Sequence, residues 1–166
     1  PSYSYKSFLI FFFGNLFLSI AWGLANTLTL FVNTYFWEFE ATQIKYFLPI
    51  YFVATLLAFY LTPRLVNLYD KRIIVLVCIG AVGLLSPVAF IMYNLGLTPE
   101  KGSMQLVFFI SSFLLFLITF NIVGIMVRDS MIGDIADEVE LQSGKRQEGI
   151  LFAAVGFMQK LNAGLG

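Results

Sequence analysis

Long stretches without a formal charge constrain this chain more than any other feature. No Asp, Glu, Lys or Arg occurs in 7–37, 46–63, 73–99 or 102–127, and 149–159 begins a fifth such run. A helix rises about 1.5 Å per residue, so about 18–20 apolar residues cross a hydrocarbon core of about 30 Å. Each complete run meets that length. Only 12% of the 166 residues are charged, against about 25% in a soluble domain. The expected architecture is all-α: a polytopic transmembrane bundle with helices at about 8–36, 46–63, 73–95, 104–128 and 148–166. Transmembrane strands would need only about 9–11 residues with inside/outside alternation, and these runs are longer and do not alternate.

Composition excludes several kinds of function. Ten basic and ten acidic residues leave no net charge, so no basic face exists for nucleic acid. There is no His, and the one cysteine, Cys78, lies inside an apolar run. Disulfides, zinc sites and His-dependent nucleophilic catalysis therefore have no raw material. No Walker-type phosphate loop occurs. An intramembrane enzyme would need a nucleophile and a base in the apolar runs, and only Lys160 offers a reactive group there. No metal ligand set and no cofactor are expected. The chain begins at Pro1 and stops at Gly166 within an apolar run, and is read as an excerpt of a larger protein.

Basic residues set the expected orientation. Lys6, Arg64, Lys71, Arg72, Arg128, Lys145 and Arg146 fall on one side, Lys45 and Lys101 on the other. Cytoplasmic loops carry the excess of Lys and Arg, so the N-terminus and the segments 64–72 and 128–148 are expected in the cytoplasm. The connectors follow turn chemistry: 37–45 is polar and acidic, and 93–102 holds Asn94, Gly96, Pro99 and Gly102. Gly80, Gly83 and Pro87 predict a bend in the third run.

Two faces stand out. Asn15, Ser19, Trp22, Asn26, Thr29 and Asn33 recur at alternating spacings of four and three, which places them on one side of the first helix. In hydrocarbon such groups need partners, supplied by another helix or by a water-filled cavity. Asn and Trp together suit a polar solute with a face to stack on, and cavity lining is the expectation. Asn121, Gly124 and Arg128 repeat the theme in the fourth run. In the fifth, Gly149, Ala153, Gly156, Lys160 and Ala163 form a small-residue face around one lysine. Lys160 lies about 18 Å along the helix from Glu148, where an unpaired lysine costs at least about 2.5–3.5 kcal/mol. A carboxylate partner outside this chain is expected.

The densest charge lies in 128–149. Asp134, Asp137 and Glu138 are spaced i, i+3, i+4, close in sequence to Arg128 and followed by Lys145 and Arg146. A solvated loop is the plain reading. The full pattern, Ser130-Met131-x-x-Asp134-x-x-Asp137-x-x-Glu140-x-x-Ser143-Gly144-x-Arg146-x-Glu148-Gly149 with Gln159-Lys160 beyond it, resembles the glycoside–pentoside–hexuronide:cation symporters, the melibiose-carrier-like branch of the major facilitator superfamily. Pro63-Arg64 and Asp70-Lys71-Arg72 look like a degenerate copy of that superfamily's basic loop.

The resemblance implies that the five helices correspond to helices 7–11 of twelve, that two six-helix halves alternate access to a solute, and that Na⁺ or H⁺ is the coupling ion. It implies a substrate and coupling role for Lys160; Asn26, Trp22 and Asn121 stand beside it as candidates read from the polar faces. Asp134, Asp137, Glu140, Arg146 and Arg128 would form a cytoplasmic gate network. The implied partners are a lipid bilayer, a small-molecule solute and the N-terminal half, and the implied location is a bacterial inner membrane. Ile125 stands near the place where the melibiose carrier has an aromatic residue, so the sugar is left open. A lysolipid-type symporter and a non-transporting assembly subunit are the alternatives.

Overall fold

The computed structural model describes residues 2–143, Gly156 and Lys160, with backbone only for 2–12, 15, 18, 19, 22 and 135–143. The elements are α1 (Ser2–Phe31), a π-helical turn (Val32–Phe36), α2 (Ala41–Ile44), α3 (Phe47–Leu68), α4 (Lys71–Leu85), α5 (Val88–Asn94) and α6 (Met104–Ser143). No strand occurs among the described residues. Three described segments are long and apolar enough to cross a membrane: Ala41–Leu68, Lys71–Asn94 and Met104–Asp134. The protein is an all-α transmembrane helix bundle. The expected helix 148–166 lies outside the described residues, apart from helical Gly156 and Lys160.

The chain divides into two compact units, one of Pro1–Val32 with Ser130–Gly166 and one of Asn33–Asp129. In the first, α1 exposes Phe17, Leu24 and Leu28, as lipid or a neighbouring apolar helix requires. In the second, α3, α4 and α6 pack through small and β-branched side chains. Ala54, Ala58 and Thr62, four residues apart on α3, are buried. Ala58 clusters with Ile74 and Cys78 of α4 and with Val123 and Val127 of α6. Small residues let helix backbones approach, so dispersion contacts replace the hydrophobic drive that lipid does not supply. Gly124 shows the limit: a Cβ there would sit 3.3 Å from the Cys78 Cβ.

Hydroxyls in the bundle are satisfied locally. Thr62 Oγ1 donates to the Ala58 carbonyl at 2.8 Å and Thr119 Oγ1 to Leu115 at 2.7 Å. Bonding back one turn removes the cost of a bare hydroxyl in an apolar setting. Large side chains such as Leu48, Phe52, Leu76, Leu84 and Phe108 point outward instead.

The structure differs from expectation in three places. The third run does not merely bend; α4 stops at Leu85 and α5 starts at Val88. Pro87 has no N–H to give to the Gly83 carbonyl, and that oxygen accepts the Ser86 hydroxyl at 3.4 Å. The fourth helix does not end at 128 but continues to Ser143. Arg128, Asp129 and Asp134 therefore lie on a helix, and the expected connector begins as a helical extension rather than a loop. The segment after the first helix buries Trp37 and Phe39, each 3% exposed, between exposed Glu38 and Glu40.

Helix ends follow ordinary chemistry. Asp70 Oδ1 accepts from Arg72 N at 3.1 Å, and Ser103 Oγ from Leu106 N at 3.1 Å, each satisfying a first-turn donor. Gly96 takes φ +70 after α5, where Leu97 N donates back to the Met92 carbonyl at 3.0 Å.

Candidate functional site

On α1, Asn26 and Thr29 are exposed and Asn33, just beyond its end, is half-buried. Thr29 Oγ1 donates to the Ala25 carbonyl at 2.6 Å, so its hydroxyl needs no second helix. Asn26 also takes part in a polar or ring interaction. The Trp22 side chain lies outside the described residues. Successive helical residues are about 100° apart, so Asn26 faces one way and exposed Phe17, nine residues earlier, the opposite way.

The expected Asn121–Gly124–Arg128 face is not a single polar surface. Gly124 is in tight contact with α4 at Cys78 and is a packing residue. Asn121 is half-buried and lies two positions from core Val123, on the other side of α6. Arg128 donates through Nε and Nη2 to Asp129 Oδ1 at 3.1 and 2.9 Å. Sequence spacing does not mark Asp129 as this partner, because adjacent residues on a helix do not face each other. A flexible arginine closes that gap along the helix surface.

Among the other gate residues, Asp134 is exposed on α6 and takes part in a further interaction. Asp137 and Glu140 lie in the same helix, with side chains outside the described set, and Arg146 lies outside it altogether. Lys160 is helical and exposed, and Gly156, one turn before it, is half-buried with no atom within 4 Å of a notional Cβ. Arg128 and Asp129 are thus brought together. Asn26 and Lys160 belong to one compact unit and Asn121 to the other.

Two other features bear on solute binding. An open groove on α3 is lined by Leu48, Pro49, Tyr51, Phe52 and Thr55. Its Thr55 hydroxyl donates to the Tyr51 carbonyl at 2.7 Å, and the rest of its lining is mostly apolar. No group of three or more Asp, Glu, His or Cys that could hold a metal occurs among the described residues.

An all-α membrane bundle with polar groups on selected helix faces is one form that transporters take. Residues 2–166 match the family described as MFS/sugar transport protein. The chain belongs to this family of major facilitator sugar transporters. No curated protein and no solved structure matches it.

Proposed function

We propose that this chain supplies most of the second half of a cation-coupled symporter for a sugar or related organic solute, working by alternating access with an N-terminal six-helix half. The observation that carries the reading is the match to the sugar transport family over residues 2–166, a span that includes both the charged 128–149 segment and Lys160. In this reading Lys160 pairs with a carboxylate of the other half and senses the coupling ion, Na⁺ or H⁺. Trp22, Asn26 and Asn121 face the solute. Asp134, Asp137, Glu140, Arg146 and Arg128 close the cytoplasmic side through ion pairs that exchange between states. No cofactor takes part. The proposed location is a bacterial inner membrane, with the N-terminus of this chain in the cytoplasm.

The direct test is counterflow in vesicles containing the full-length protein, preloaded in turn with unlabelled glycosides, pentosides and hexuronides. One class should drive entry of its labelled counterpart. Failure of all three with exchange of a lysolipid would replace this reading by the lysolipid one.

Orientation is tested separately. In a Cys78→Ala background, single cysteines at the exposed positions Glu40 and Glu100 should label from outside, and one at exposed Asn67 from the cytoplasm. The reverse pattern would overturn the assignment of sides.

The α1 face gives a further expectation. Asn26→Leu should weaken solute affinity by about tenfold, the value of one hydrogen bond to a bound polar ligand. Phe17→Leu, on the opposite side, should leave affinity unchanged. Equal effects in binding assays at matched expression would assign Asn26 to helix packing.

A further inference from the structure

The end of the bundle that carries 36–47 and 93–103 contains a set of contacts unrelated to the proposed solute and gate residues. Lys101 Nζ lies 4.9 Å from the Phe36 ring centroid and 5.0 Å from that of Tyr93. It also lies 3.6 Å from Glu38 Oε1. The Phe36 ring is 5.2 Å from both Phe90 and Tyr93, and buried Trp37 is 5.4 Å from Phe90. An ammonium near two ring faces and a carboxylate is attracted by all three.

The backbones are joined as well. Gly102 N donates to the Trp37 carbonyl at 3.0 Å, and Gln43 Nε2 donates to the Gly102 carbonyl at 2.7 Å. Gly102 has φ +67, and a Cβ there would lie 3.2 Å from the Glu38 carbonyl oxygen. Glu38 itself has φ +58, the one positive-φ residue other than glycine among those described. Such a conformation persists where its surroundings over-determine it. Here Lys101 holds the side chain while Gly102 bonds the neighbouring carbonyl.

We propose that these residues form a clasp, pinned by Lys101, that stays closed throughout the transport cycle. The clasp makes the chain from Phe36 through α2, the end of α5 and the start of α6 move as one body. All its members lie in the single compact unit Asn33–Asp129, and the partners named above are within that unit, so closing it needs no group from elsewhere. The π-helical turn Val32–Phe36 leads directly into it. Short π-helical turns are rare and occur frequently at functional sites, and in this proposal the change of shape falls ahead of Phe36 rather than in the clasp. This inference rests on the transport reading for the word cycle, whereas the pin itself does not.

The pin is read by hydrogen exchange of the full-length protein at the Gly102 amide. Lys101→Met should speed that exchange by about tenfold, while Lys101→Arg, which keeps charge and ring stacking, should restore protection. Unchanged exchange in the Met variant would overturn the pin. Persistence is read by bridging Glu38→Cys and Lys101→Cys with a short bifunctional thiol reagent in a Cys78→Ala background. Bridged protein should transport at the rate of the same variant before bridging. Loss of transport on bridging, with the Cys78→Ala parent unaffected by the reagent, would show that the clasp must open. If the unmodified protein moves no sugar, the transport reading fails, and the exchange measurement still decides the pin.

Discussion

Lys160→Met is expected to abolish ion-coupled accumulation while leaving the protein folded in the membrane. The argument rests on depth and chemistry. On the expected helix 148–166, Lys160 would lie about 18 Å from Glu148, near the middle of a core of about 30 Å. A charge there requires a partner, and the proposed one is a carboxylate of the N-terminal half. Removing the ammonium strands that carboxylate, which typically costs about 3–5 kcal/mol, unless it takes up a proton and becomes neutral. Either outcome uncouples the ion. Solute binding that survives in the Met variant should therefore lose its dependence on the cation. Lys160→Arg keeps the charge on a bulkier planar head and should be folded but slow. Wild-type accumulation with the same ion dependence in the Met variant would make Lys160 a structural residue.

Ala58→Phe should have the largest effect on the bundle itself. Ala58 is fully buried, clustered with Ile74, Cys78, Val123 and Val127. A phenyl ring has no room between the three helices, and overpacking of this kind costs about 1–3 kcal/mol or more. The expected result is a lower melting temperature in detergent and a reduced yield of folded protein. Phe59→Leu, at the next residue, changes a side chain that is 58% exposed and should leave both unchanged. A larger loss for Phe59→Leu than for Ala58→Phe would mean that α3 is turned the other way in the membrane.

The bundle is legible in the sequence because a membrane leaves so few solutions. Charge-free runs locate α3, the α4–α5 pair and α6, and Pro87 marks the place where α4 and α5 part. What stays hidden follows from reading charge as the end of order. Arg128 looks like a helix terminus, yet α6 runs on to Ser143, since a helix leaving hydrocarbon can continue in water with its polar groups solvated. Glu38 and Glu40 make 37–45 look like a solvated connector, whereas Trp37 and Phe39 are buried. The apolar–acidic alternation from Trp37 to Glu40 is the available signal. Helical spacing alone groups Gly124 with Asn121, and spacing does not distinguish a packing glycine from a cavity wall. The clasp has no sequence signature, because Glu38 and Lys101 are far apart in the chain.

Accumulation against a gradient tests the central claim most directly. Full-length protein in sealed vesicles would be given a labelled sugar identified by counterflow, with an inward Na⁺ or proton gradient imposed in turn. Cation-coupled symport predicts that one gradient drives the internal sugar above the external concentration, and that an ionophore for that ion collapses the excess. Equilibration to equal concentrations under both gradients, with no ionophore effect, would contradict it.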